Sequence, residues 1–268
     1  MQGEPFNQLV QVFAALRGEN GCPWDREQTH ESLKPDLIEE TYEVIEAIDI
    51  GNSTKLREEL GDLLGNVMLH AQIATDEGEF DINDVIKILT EKLIHRHPHV
   101  FGDRVADDAD QVLKNWEQIK RTEPGYEDRK SALDGVPDHL PSLQRAQKLQ
   151  RKAARVGFDW NEVSDVLPKI DEEIAELKES IQENNREEIE LEIGDLLFSI
   201  VNLCRFLDVR AEEALRKANR KFVGRFKAME KELERRGDSF NDYDLAGLDE
   251  IWDQAKESEK ESEVDVNP

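Results

Sequence analysis

Apolar residues recur along this chain at helical rather than strand intervals. Phe6, Leu9, Val10, Phe13 and Leu16 fall at i, i+3, i+4, i+7 and i+10, the spacing that gathers side chains on one face of an α-helix. Leu37, Ile38, Ile45 and Ile48 predict a second helix. Leu56, Leu60, Leu63, Leu64 and Val67 predict a third, Val85, Ile88, Leu89 and Leu93 a fourth, and Val112, Trp116 and Ile119 a short fifth. The pattern breaks over residues 121–141, where Pro124, Gly125, Gly135, Pro137 and Pro141 punctuate the chain. It resumes at Leu143, Ala146 and Leu149, and runs through Ile189, Ile193, Leu196, Leu197 and Ile200 into residues 209–236. No alternating stretch of useful length interrupts it, so the expected fold class is all-α. The expected organisation is a helical domain over 1–122, a linker over 123–141, a second helical domain over 142–257, and a disordered polar tail over 258–268.

The second domain repeats the first. Residues 36–66 laid over 169–199 without gaps share 11 identities in 31 positions, at a constant offset of 133. The shared residues include Glu39, Glu40, Glu43, Asn52, Glu59, Gly61 and Asp62 in one copy, and Glu172, Glu173, Glu176, Asn185, Glu192, Gly194 and Asp195 in the other. A looser match pairs Trp116-Glu117-Gln118 with Trp252-Asp253-Gln254. A period this long marks a duplicated domain, not a solenoid of ~20–50-residue repeats.

Most of the repeated identities are acidic, and composition sharpens what that means. The chain has 268 residues, 61 acidic against 35 Lys and Arg, and a formal charge of −26. So acidic a surface excludes a protein that coats a nucleic-acid polymer, which needs a broad basic face. It leaves room for a phosphorylated small ligand held through a metal ion and a few local cations. No apolar run approaches the ~18 residues of a membrane span, and the first residues lack the basic and apolar regions of a signal peptide. Cys22 and Cys204 fall in different halves with no CxxC pattern and read as free thiols of a reducing cytoplasm. No membrane partner is expected.

Within each copy the carboxylates stand at helical spacing. Glu173 and Glu176 are i, i+3, as are Glu192 and Asp195, so each pair shares a helix face. Asn184-Asn185 between them suits a turn. Folding one helix back on the other brings the four carboxylates to one level. Like charges so close repel and raise one another's pKa, whereas Mg²⁺ prefers all-oxygen ligands and bundles build metal sites from carboxylates on facing helices. Gly194, and Gly61 in the other copy, sit mid-helix at a cost of about 1 kcal/mol against Ala; close helix–helix approach would explain both. Leu196, Leu197 and Phe198 are expected in the core behind the site.

These motifs resemble those of the MazG family of nucleoside triphosphate pyrophosphohydrolases, in which Glu-Glu-x-x-Glu on one helix is followed by Glu-x-x-Asp on the next. The first half adds Gly21-Cys22-Pro23-Trp24-Asp25 with Thr29, and His97-Pro98-His99-Val100-Phe101-Gly102, both similar to the long, two-domain bacterial form. The resemblance implies duplicated all-α helical bundles, a homodimer, and Mg²⁺ as cofactor with Mn²⁺ as a substitute. It implies binding of ATP and other nucleoside triphosphates, and their hydrolysis to nucleoside monophosphate and pyrophosphate in a house-cleaning role. Carried over by position, Glu173, Glu176, Glu192 and Asp195 are the metal ligands, with Glu172 acting beside them. Lys221 and Arg225 bind phosphate, and Phe222 and Trp252 lie against the nucleotide. Glu40, Glu43, Glu59 and Asp62 form the second copy.

Lys221 and Arg225 are i, i+4 and could neutralise the β and γ phosphates and the leaving pyrophosphate, while a water activated by the ion attacks the α-phosphorus. The corresponding first-half stretch reads His95-Arg96-His97-Pro98-His99, where Pro98 interrupts the helix. The second half is therefore expected to be the principal catalytic copy and the first a degenerate or regulatory one. The three histidines fit a hydrogen-bonded loop better than a transition-metal site. Two readings of Trp24 and Asp25 stay open: nucleotide recognition, or a buried Trp beside a capping Asp. The competing function is a helical nucleotide- or metal-sensing regulator with little turnover.

Overall fold

A computed structural model describes residues 4–103 and 130–264, with side chains to 257, together with 108, 111, 112, 115, 116 and 119. Among these residues every regular element is helical, as the periodicity predicts. Contacts divide the chain into two units, Met1–Glu127 and Asp128–Pro268. Residues 123–129 of the expected linker lie outside the described residues.

The first unit contains α1 (Glu4–Arg17), α2 (Pro23–Glu27), α3 (Lys34–Asp49), α4 (Ser53–Glu77), α5 (Ile82–Arg96) and α6 (Pro98–Phe101). The described positions of the short fifth helix expected from sequence are helical too. Its core is two small clusters. Leu33, Leu69 and Ile73 form one, and Met68, Ala71 and Ile82 the other; Phe13 of α1 packs against both. Asn52 starts α4 by accepting hydrogen bonds from the Thr54 and Lys55 amides, each at 3.1 Å, and Gly78 ends it at φ 75°, a left-handed cap that glycine takes without strain. Pro98 ends α5 as expected and opens α6. His97 sits at that break with Nδ1 2.6 Å from the Leu93 carbonyl.

The second unit contains α7 (Ser142–Ala154), α8 (Val163–Gln182), α9 (Arg186–Phe206), α10 (Ala211–Arg236) and, after a 3₁₀ turn at Phe240–Asp242, α11 (Leu245–Val264). The helix hairpin α8–α9 repeats α3–α4. The left-handed position at its turn is Gly51 (φ 68°) in one copy and Asn184 (φ 53°) in the other, and Asn185 caps α9 as Asn52 caps α4. Leu33 and Val166, again 133 apart, are each 1% exposed. Gln147 of α7 donates to the Val209 carbonyl (2.6 Å) and accepts from the Ala211 amide, tying α7 to the α9–α10 turn. Met229, Leu233 and Ile251 form the core between α10 and α11.

Several expectations need correction. Leu197 and Phe198 are not core residues but 48% and 45% exposed; Phe198 lines an open cavity instead. Ile38, Ile48, Ile88, Leu89 and Leu93 are likewise exposed; their helices have an apolar face wider than the cores they meet. A Cβ built on Gly61 or Gly194 meets nothing within 4 Å, so neither glycine serves close packing inside its unit. Trp24 is 54% exposed, which removes the buried reading. α11 continues to Val264, into the expected tail, where Glu and Lys are good helix formers.

Candidate metal and nucleotide site

Two elements set the second-half carboxylates. Glu173 projects from α8 and is buried, 4% exposed; Glu192 and Asp195 project from α9. One carboxylate oxygen from each of the three lies within 4.8 Å of the others. Lys169, one turn before Glu173 on α8, donates to it at 2.8 Å and to Glu172 at 2.9 Å. Those two bonds hold the Lys169 ammonium well above its ordinary range. Glu192 is raised above the usual carboxylate range, first by burial and then by the charges of Glu176, Glu173 and Asp195. Glu176 thus acts on the cluster by its charge but stands outside the three that converge.

The first unit repeats this with a shift of membership. Glu40, Glu43 and Glu59 converge; Asp62 stands outside the trio and acts on Glu40 by its charge. Glu40 is raised, mainly by burial and then by Asp62, and its Oε2 is buried without a partner among the described residues. Glu59 is raised by burial and by the hydrogen bond its protonated form donates to Glu43, and its nearby cation is Lys55, 4.0 Å away.

Converging carboxylates that raise Glu192 in one copy, and Glu40 and Glu59 in the other, are short of positive charge. An all-oxygen donor set suits a hard divalent cation, and such an ion would reverse the shifts. The residues present therefore fit the group that the sequence suggests.

A cavity of about 560 Å³ opens beside the second-half cluster, within the range of small-molecule sites. Lys169, Glu173 and Asp195 line it on the polar side, and Phe158, Trp160, Leu149, Val166 and Phe198 among others on the apolar side. Arg205, also in the lining, is fixed by a two-point pair with Asp159, NH1 to Oδ2 at 2.9 Å and NH2 to Oδ1. The periodicity and motifs did not single out Phe158 and Trp160. Their signal is the run Gly157-Phe158-Asp159-Trp160 between helices, and the placement of Gln147 and Gln150 on the same face of α7 as Leu143 and Ala146.

The predicted phosphate and nucleotide residues sit elsewhere in the unit. Lys221, Phe222, Arg225 and Trp252 are not in the cavity lining. Phe222 meets Trp252 with ring centroids 5.3 Å apart, and the Arg225 guanidinium lies 5.8 Å over the Trp252 ring. Trp252 also packs against the Met229–Leu233–Ile251 core.

Two all-α units each converge three carboxylates, one of them beside a cavity of small-molecule size, an arrangement suited to a metal ion and a small ligand. The family model of the MazG nucleotide pyrophosphohydrolase domain matches the chain twice, at residues 28–101 and 161–229. The chain is 51% identical to the nucleoside triphosphate pyrophosphohydrolase/pyrophosphatase MazG of Thermotoga maritima, over 94% of this chain and 95% of that one. It is 45% identical to the nucleoside triphosphate pyrophosphohydrolase of Escherichia coli K12, over 95% and 98%. A crystal structure of a mazG-related protein from Thermotoga maritima matches 43% of this chain and 98% of its own at 29% identity, with a TM-score of 0.38. The chain belongs to the MazG family of nucleotide pyrophosphohydrolases, and the resemblance read from its motifs holds over nearly its whole length.

Proposed function

We propose that the pyrophosphohydrolase reaction of this family, nucleoside triphosphate and water to nucleoside monophosphate and pyrophosphate, runs in this chain at the second-half cluster with Mg²⁺. The observation that carries the choice is the cavity: Glu173 and Asp195 share a lining with aromatic walls and Lys169, so carboxylates and a nucleoside-sized space meet in one place. Glu173, Glu192 and Asp195, with Glu176 beside them, would hold the cation, which would supply neutralisation of the triphosphate and activation of water; Mn²⁺ has the same ligand preference.

The chain's own groups do the rest. Glu172 and Glu173 hold Lys169 charged beside the cavity, where its ammonium can meet a phosphate oxygen. The apolar walls exclude water from the nucleoside. Lys221 and Arg225 lie on α10, which packs on α7 and α9, outside the cavity lining; the family resemblance, rather than the geometry, assigns them the β and γ phosphates. Glu40, Glu43, Glu59 and Asp62 form a cation site without that function. The exposed apolar faces of the helices fit a homodimer. Cys22 and Cys204 are free and no described helix is long and apolar enough to cross a membrane, which suits a cytoplasmic enzyme that removes unwanted nucleotides.

Hydrolysis in ¹⁸O-labelled water tests the reaction. Attack at the α-phosphorus puts the label in the monophosphate. Label in pyrophosphate, or release of diphosphate and orthophosphate, contradicts the proposal.

A further inference from the structure

The turn that brings Phe158 and Trp160 to the cavity is fixed at two points. The chain leaves α7 through a left-handed cap: Gly157 stands at φ 90°, and the Gly157 and Phe158 amides donate to the Ala154 and Ala153 carbonyls at 3.0 and 3.1 Å. That fixes the chain as far as Phe158. The next anchor is Asp159. Its Oδ2 accepts from Arg205 NH1 at 2.9 Å, and its Oδ1 accepts from Arg205 NH2 and from the Trp160 amide, the latter at 2.9 Å. Arg205 is itself well held. It stands in the last turn of α9, its side chain 12% exposed, donates Nε to Asn202 Oδ1 at 2.9 Å, and lies 4.4 Å over the Phe206 ring. A two-point pair between guanidinium and carboxylate fixes direction as well as distance. Here it ties the turn to a helix 46 residues further along the chain. The residues on either side of Asp159 are open to solvent: Phe158 is 80% and Trp160 42% exposed, and both line the cavity. A ring as exposed as Phe158 buries too little to place the turn by its own packing. A partly exposed ion pair adds little to overall stability, so its loss should loosen the turn without unfolding the unit.

Resting on the proposed function, we propose that Asp159 and Arg205 are positioning residues for the nucleoside. Their pair holds Phe158 and Trp160 as an aromatic wall of the cavity, and the two rings, not the pair, meet the nucleoside. Aromatic surface suits that ligand because every base offers a flat π face. The wall therefore favours a nucleotide over bare polyphosphate without choosing among bases. Arg205 is poorly placed to hold a phosphate itself, since both terminal nitrogens donate to Asp159 and Nε to Asn202. Lys169 and the carboxylates in the same lining are left to the phosphates and the cation.

The test uses the full chain and two probes, ATP and inorganic tripolyphosphate, which has no nucleoside. Binding is measured by calorimetry with Ca²⁺ in place of Mg²⁺, so that it reads out whether or not turnover occurs; KM and kcat are measured separately with Mg²⁺. Asp159→Asn and Arg205→Lys should each weaken ATP binding and raise KM about tenfold, the size of one base–aromatic stack, with kcat changed by less than about twofold and tripolyphosphate binding unchanged. Phe158→Ala combined with Trp160→Ala should lose the same factor. In that background Asp159→Asn should cost nothing more, because nothing is left to position. Equal loss for ATP and tripolyphosphate would make Arg205 a phosphate ligand, and a further loss in the background without the two rings would show the pair acting by itself. Either result overturns the inference, as does unchanged ATP binding with lowered thermal stability. If Arg205→Lys fails to fold, Asp159→Asn decides alone. The expected losses of ATP binding without hydrolysis in Mg²⁺ would keep the inference and defeat the proposed reaction; hydrolysis with ATP binding indifferent to the pair would do the reverse.

Discussion

Glu192 shows how the site's charge acts at the scale of one residue. Burial and four neighbouring carboxylates hold its pKa above the usual range, so the folded chain binds that proton more tightly than the unfolded chain does. Without a divalent cation, stability therefore falls as pH rises from the ordinary carboxylate range through the raised folded value. A bound dication favours the ionised form and offsets the loss. Adding Mg²⁺ should raise Tm more at about pH 7.5 than at about pH 5; thermal scans giving an equal rise at both would contradict a cation held by these carboxylates. The spacing of Glu173, Glu192 and Asp195 made their convergence legible in the sequence, because helix geometry alone puts i and i+3 on one face. It could not rank the four carboxylates of each copy. Which three meet depends on side-chain reach across the hairpin, and the answer differs: Asp195 is within the second trio, whereas its counterpart Asp62 is outside the first.

At the scale of the element, the hairpins were the most legible part of the fold. Asn184-Asn185 announced a turn, and the two asparagines divide the work, one left-handed and one capping. Asn52 accepts two amide bonds at 3.1 Å where Asn185 accepts one at 3.4 Å. Asn52→Ala should then cost about 1 kcal/mol of stability, and more than Asn185→Ala; denaturant titration checks the order. The mid-helix glycines were misread because a glycine among Leu and Ile suggests packing, and only coordinates show whether anything stands opposite. Since a Cβ at Gly194 meets nothing, Gly194→Ala should add about 1 kcal/mol through helix propensity. A loss of stability together with a change in oligomeric state would instead mark the place where a second copy approaches. The apolar stripes predicted the helices correctly but overstated the core: Ile88, Leu89 and Leu93 define a helix face that is about half exposed.

For the whole molecule, the sequence carried the duplication and the all-α class directly, since both follow from periodicity and from identities at a constant offset. The cavity was not legible, because it is assembled from separated parts. Phe158 and Trp160 come from an interhelical turn, Gln150 from α7, and Asn202 and Arg205 from the far end of α9. That assembly also separates the copies. A Cβ built on Gly65 of α4 would meet the Phe13 ring of α1 at 3.8 Å, and Phe13 packs against Leu33, Leu69 and Ile73, whereas the residue at the matching position of α9 is Phe198, on a cavity wall. Leu69 of the first core cluster thus matches, at the same offset of 133, Asn202 of the second unit's cavity lining. The central claim, that one copy of a duplicated cluster does the chemistry, is tested most directly by comparing Asp195→Ala with Asp62→Ala, with products identified from ATP and Mg²⁺ and helicity checked by circular dichroism. The prediction is monophosphate and pyrophosphate from Asp62→Ala at near the unmodified rate, and no turnover from a fully helical Asp195→Ala. An active Asp195→Ala, or an inactive Asp62→Ala beside it, would contradict it.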